Sequence, residues 1–211
     1  MLGRFRRSVL HSPMPSFLHV GCGSATKVNT IPFFQRGDWN EIRLDIDASV
    51  APDIVGTMTD MAAVATGSVE AIYSSHNIEH LYAHEVDVAL KEFLRVLTPT
   101  GFAVITCPDL QAACKLIAEN KLVEPAYVSP AGPIAPLDIL FGHRDSVRRG
   151  NHFMAHRCGF TLDVLLASIK QAGFGSSAGF ARPGSFALWA VCRKDRLADS
   201  DVEQFTRSVF A

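Results

Sequence analysis

Leu18-His19-Val20-Gly21-Cys22-Gly23-Ser24 is the stretch that decides the fold. A short apolar run enters a turn built on two glycines. About 22 residues after Gly23, a second apolar run ends in the acidic tip Arg43-Leu44-Asp45-Ile46-Asp47. Doubly wound α/β folds bind nucleosides with this arrangement: glycines let the backbone approach the ligand, and a carboxylate at the end of the next strand accepts hydrogen bonds from the ribose diol.

Strand and helix signals alternate outward from that point. Phe17–Val20 and Glu41–Ile46 read as the first two strands, with a weak helical stretch at 28–35 between them. Asp53–Val55 reads as a short third strand, and Asp60–Ala65 as a short helix or turn. Val69–Ser74 is the next strand. Val86, Leu90, Phe93, Leu94 and Leu97 then form one apolar stripe at helical spacing, stopped by Thr98-Pro99-Thr100-Gly101. Phe102–Thr106 reads as a buried strand and Leu110–Asn120 as a helix. Thr161 is placed to N-cap a further helix that buries Leu162, Leu165, Leu166 and Ile169. The tail reads as a hairpin of 179–182 and 185–192 around Pro183-Gly184. The fold class is therefore α/β, a Rossmann-like doubly wound, mostly parallel sheet with a C-terminal antiparallel hairpin.

Composition narrows the function. The 211 residues are 48% hydrophobic and carry a net charge of −1, enough apolar surface for one core and no basic field for nucleic acid. No apolar run reaches the roughly 18 residues that span a bilayer. Five scattered cysteines with no CxxC pair point to reduced thiols and a cytoplasmic protein. Residues 1–15 read as a loose N-terminal arm whose basic cluster lacks the apolar segment of a signal peptide. Residues 123–159 are broken by prolines and glycines, as lid-like insertions are.

The dinucleotide fingerprint G-x-G-x-x-G has Thr26 in place of its third glycine, which disfavours NAD. The later motifs point elsewhere. From residue 16 to 109 the chain resembles class I S-adenosylmethionine-dependent methyltransferases of the type-11 group. The resemblance is carried by Leu18–Gly23, by Asp45, by the loop Gly56–Met61, by Ser68–Leu81, and by Glu92–Gly101. It implies a methyltransferase-like domain over 16–211 with S-adenosyl-L-methionine as cofactor. It places Gly21, Cys22 and Gly23 beside the methionine moiety, Asp45 and Ile46 at the ribose, Asp60 and Met61 at the adenine, and Ser75 at the end of the fourth strand. The sequence departs from the family pattern at His19, where an acidic residue is frequent, at Ala25, and at Thr57.

Methyl transfer from a sulfonium mostly requires positioning and exclusion of water, so a strong acid/base signature is not needed. His76, with a near-neutral intrinsic pKa, is the candidate catalytic base. His76-Asn77-Ile78-Glu79-His80 also matches the zinc-hydrolase pattern H-x-x-E-H, but that chemistry needs a helix, and a turn is expected here. His152, His156 and Cys158 fit no closed structural metal site, so no metal is expected. The sequence thus reads as a methyltransferase acting on a small-molecule or glycan-like acceptor. An NAD-dependent oxidoreductase and a non-catalytic nucleoside-cofactor-binding protein are the alternatives.

Overall fold

The computed structural model describes residues 14–211, so the expected N-terminal arm falls almost wholly outside the described residues. In chain order the elements are β1 (Ser16–Val20), α1 (Pro32–Gln35), β2 (Asn40–Asp45), β3 (Ile54–Val55), β4 (Val69–Ser75), α2 (Val86–Val96), β5 (Leu97–Pro108) and α3 (Leu110–Ala118). There follow β6 (Tyr127–Ser129), β7 (Gly132–Ile134), α4 (Pro136–Phe141), α5 (Arg144–Arg148), α6 (Leu162–Ala172), β8 (Ser176–Arg182), β9 (Ala187–Arg193) and α7 (Asp199–Val209). Seven strands form one sheet in the order β3-β2-β1-β4-β5-β9-β8, and β6 and β7 form a separate ribbon. The first five strands pair in parallel; β9 runs antiparallel to both β5 and β8, as the hairpin signal requires.

Period-two alternation sends side chains to two cores. Leu18, Val20, Ile72, Ala103, Ile105 and Cys107 pack on one face with Leu90 and Phe93 of α2 and Leu165 and Ile169 of α6. Phe17, Tyr73, Phe102 and Val104 pack on the other with Phe34 of α1 and Val209 of α7. Aromatic rings concentrate there: Phe17 stacks on Phe34 at 4.5 Å, and Phe102 meets Phe205 edge-on at 5.1 Å.

Residues 60–65 form turns, one of the two readings given for them, and Arg95 of α2 grips their carbonyls: its guanidinium donates to Met61 O and Val64 O, each at 2.9 Å, and to Glu92, which itself accepts from Met61 N. Elsewhere the structure differs from the sequence reading. The stripe ending at Leu97 passes into strand one residue early, and Thr98–Gly101 bulges out of register as Val69 pairs Leu97 and Ala71 pairs Phe102. The helix α7 was not anticipated. Its Val202, Thr206 and Val209 are buried at i, i+4 and i+7, a weak stripe in an otherwise polar segment.

The cap of α6 formed as expected. Thr161 accepts a hydrogen bond from Val164 N and Gly173 closes the helix. Thr161→Ala is expected to lower stability by about 1 kcal/mol, read by urea unfolding; an unchanged midpoint would deny the cap its role.

Candidate functional site

The strand order makes β1 the switch point, with β2 on one side and β4 on the other. Open α/β sheets bind ligands at the carboxyl ends of such strands. A cleft of about 300 Å³ opens at this point. Its floor is Val20, Gly21, Gly23, Leu44 and Asp45, and its sides are Ile46, Gly56–Thr59, His76 and Asn77. Asn151, Phe153, Met154 and Arg157, from the segment between α5 and α6, reach over it.

The glycine turn is held open by backbone and carboxylate. Gly21 (φ +62°) and Gly23 (φ +53°) both lie in the left-handed region, which other residues enter at a cost. Gly21 N donates to Leu44 O at 2.8 Å. Asp45 accepts from Gly23 N at 2.7 Å through one carboxylate oxygen and from Asp47 N at 2.8 Å through the other. Arg43 laces the same turn to the loop after β2, donating to Gly23 O at 2.6 Å and to Ala51 O at 2.9 Å.

Of the residues expected at the site, Gly21, Gly23, Asp45, Ile46 and His76 line the cleft. Cys22 is turned inward and buried, and burial pushes its thiol up. Met61 is 1% exposed within the core beside α2, and Asp60 lies in a shallow depression with Ala62, Lys91 and Arg95. Both sit away from the cleft because the chain reverses at 57–60, where Thr57 bridges Asp60; Thr57, Met58 and Thr59 line the cleft instead. Ser75 hydrogen-bonds Thr106 Oγ1 at 2.9 Å and does not line the cleft.

Asn77 is a site residue the sequence reading passed over. It is buried, lines the cleft, and its Nδ2 has no hydrogen-bond partner. Gly21 lies directly beneath its amide. Glu85 and His80, from the turns that follow β4, and the overhanging Phe153 and Arg157 were missed as well; the last two arrive because the 151–158 segment is tied to the Glu79 carbonyl.

His19 stands where the resemblance implies an acid. Its Nδ1 is 2.7 Å from Glu41 Oε1, and Glu41 also accepts from Lys27 N. The carboxylate therefore comes from β2. Burial holds the His19 pKa below its ordinary value, with Glu41 working against that shift.

At the rim His76 has φ +51°, an unusual backbone for a residue with a side chain, and its N–H donates to Thr106 O at 2.9 Å. Its Nδ1 stands 3.5 Å from Glu79 Oε1, beyond hydrogen-bond length. Glu79 is 1% exposed. Burial pushes its pKa up, but the neighbouring His76, His80 and His156 outweigh that and hold it below the ordinary carboxylate value. Burial pulls His156 below its own.

Residues 18–105 match the methyltransferase-domain family model of the type-11 group. Over that stretch the chain is similar to the S-adenosylmethionine-dependent methyltransferases of class I fold. The solved structures similar to the chain agree in fold. The CMeT domain of a citrinin polyketide synthase superposes with a TM-score of 0.56 at 12% identity, over 87% of this chain and 47% of its own. A methyltransferase from Archaeoglobus fulgidus gives 0.56 at 11% identity over 86% and 87%. The Burkholderia thailandensis 1,6-didemethyltoxoflavin-N1-methyltransferase, solved with bound 1,6-didemethyltoxoflavin and S-adenosylhomocysteine, gives 0.51 at 14% identity over 86% and 72%. The chain thus spans about half the length of the first of these. A search of curated proteins finds no match to the sequence. Within the matched stretch the glycine turn, Asp45 and, from the 68–81 segment, His76, Asn77, His80 and Leu81 line one cleft. No helix among the described residues is long and apolar enough to cross a membrane.

Proposed function

We propose that the protein transfers a methyl group from S-adenosylmethionine to a small-molecule or glycan-like acceptor. One observation carries this reading: Asp45 and the two left-handed glycines converge on a single cleft at the sheet's switch point. The residues present fit the cofactor. Gly21 and Gly23 offer bare backbone to the methionine part, and the Asp45 carboxylate stands where the ribose hydroxyls would donate. Ile46, half exposed, and Met58 supply apolar contact for the adenine. The unpartnered Asn77 amide is aimed at the methionine end. When bound, the cofactor supplies an electrophilic methyl; the chain's part is to align the acceptor and keep water out. His76, whose imidazole stands at the rim of the cleft, is the side chain placed to receive the acceptor's proton.

Residues 123–159 act as the acceptor-side cover in this reading. Phe153 and Tyr82 are half exposed beside Asn151, Glu85 and Arg157, with the Arg157 guanidinium 4.9 Å over the Tyr82 ring. Apolar faces interleaved with hydrogen-bonding groups suit a compact polyhydroxylated or heterocyclic acceptor. The net charge of −1 supports no nucleic-acid partner. The cysteines are all unpaired, four of them wholly or partly buried, which supports a reducing, cytoplasmic setting.

Calorimetric titration with S-adenosylhomocysteine and with NADH tests the cofactor. Binding of the first and not the second is expected. Tight NADH binding alone would replace the reading with an oxidoreductase. Cofactor binding with no methyl transfer across a broad acceptor screen would leave a binding protein.

A further inference from the structure

The cluster of Glu79, His80 and His156 is left unused by the cofactor cleft. One ligating atom of each lies within 4.8 Å of the others. Glu79 is 1% exposed, yet both of its carboxylate oxygens lack a hydrogen-bond partner. A buried carboxylate left so bare is costly unless a cation compensates it.

The two histidines are oriented by hydrogen bonds on their far sides. His80 Nδ1 is 3.1 Å from Ala155 O, and His156 Nδ1 is 2.8 Å from Ile139 O. A carbonyl only accepts, so each Nδ1 carries the proton and each Nε2 keeps a free lone pair. Metal-bound histidines are held in the same way, the second nitrogen donating to a carbonyl or carboxylate. The backbone fastens the parts together: Arg157 N and Cys158 N both donate to Glu79 O, at 2.8 and 3.2 Å. Sequence spacing argued against a metal because residues 78–80 do not form an α-helix. The third donor comes instead from the distant 151–158 segment, which is hydrogen-bonded to the Glu79 carbonyl.

We propose that Glu79, His80 and His156 bind a first-row divalent cation whose open coordination positions face the cleft. Donors in a four-coordinate site of this kind stand about 3.4 Å apart, so a contraction of at most about 1.4 Å closes it. Two imidazoles and one carboxylate leave positions for an acceptor oxygen, because His80 itself lines the cleft. The substrate class is then an acceptor carrying a hydroxyl. Its oxygen binds the cation and its proton passes to His76. The oxygen then forms the new bond to the methyl carbon, and the sulfonium keeps the electron pair of the broken S–C bond. This catalytic role rests on the methyltransferase reading; binding of the cation does not.

The test uses the full chain, stripped with EDTA and titrated calorimetrically with ZnCl₂. Cobalt absorption in the visible gives a second readout that needs no variant. Expected are one zinc per chain, cobalt ligand-field bands, and at least tenfold weaker zinc binding in His156→Ala and His80→Ala, each checked for folding by circular dichroism. Absence of stoichiometric zinc and of cobalt bands in the wild type overturns the proposal, as does undiminished affinity in both folded variants. S-adenosylhomocysteine is titrated separately. Zinc binding without it sinks the methyltransferase reading alone, and its binding without zinc sinks the cation site alone.

Discussion

Asp45→Ala is expected to weaken S-adenosylhomocysteine binding about a hundredfold. The carboxylate has two jobs. It accepts from Gly23 N and Asp47 N at 2.7 and 2.8 Å, which fixes the shape of the glycine turn, and it faces the cleft where a ribose diol would donate. Hydrogen bonds to a charged group contribute roughly 1.5–3 kcal/mol each, and about 1.4 kcal/mol is a factor of ten in affinity. Loss of the ribose pair alone therefore accounts for about two decades. Isothermal titration calorimetry reads the change, and retained affinity would refute the ribose role. Asp45→Asn separates the two jobs. It keeps an acceptor for Gly23 N, so it should recover much of the thermal stability while binding stays weak.

Gly21→Ala is expected to damage both fold and binding, and more severely than Gly23→Ala. At Gly21 a new methyl overlaps the side-chain amide of Asn77, which is itself buried. At Gly23 nothing lies within 4 Å of the added carbon. Both substitutions carry the left-handed cost of roughly 1–2 kcal/mol, a fall of several degrees in Tm for a domain of this size, where 1 kcal/mol is about 2–4 °C. Gly21→Ala must also displace Asn77 from the cleft. Its cofactor affinity should fall at least tenfold further than that of Gly23→Ala. Equal losses in the two variants, by thermal melting and calorimetry, would mean that the Asn77 amide plays no part in holding the ligand.

The site was partly legible in the chain. Gly21, Gly23, Asp45 and Ile46 fall where the strand–turn–strand pattern placed them, because short-range geometry fixes a turn and the tip of the next strand. Asp60 and Met61 did not follow. Their loop is shaped by Arg95 and Glu92, which pull Met61 inward and leave Met58 at the cleft. Asn77 lay inside a recognised motif, but its orphan amide depends on the left-handed turn at His76 and on its position over Gly21. The helix α7 carries three buried residues in a polar segment, a signal that shows itself only when there is a sheet face for them to cover.

The sequence alone determined the α/β alternation, the nucleoside-type turn, the carboxylate after β2 and the C-terminal hairpin. These rest on periodicity, on caps and on glycine, all properties of neighbours along the chain. Only the tertiary structure decided which groups share a cavity. Arg157 and Phe153 meet the glycine turn, and His156 meets Glu79 and His80, because the 151–158 segment is tied to the Glu79 carbonyl. That juxtaposition depends on contacts between residues far apart in the chain, and no local pattern records it.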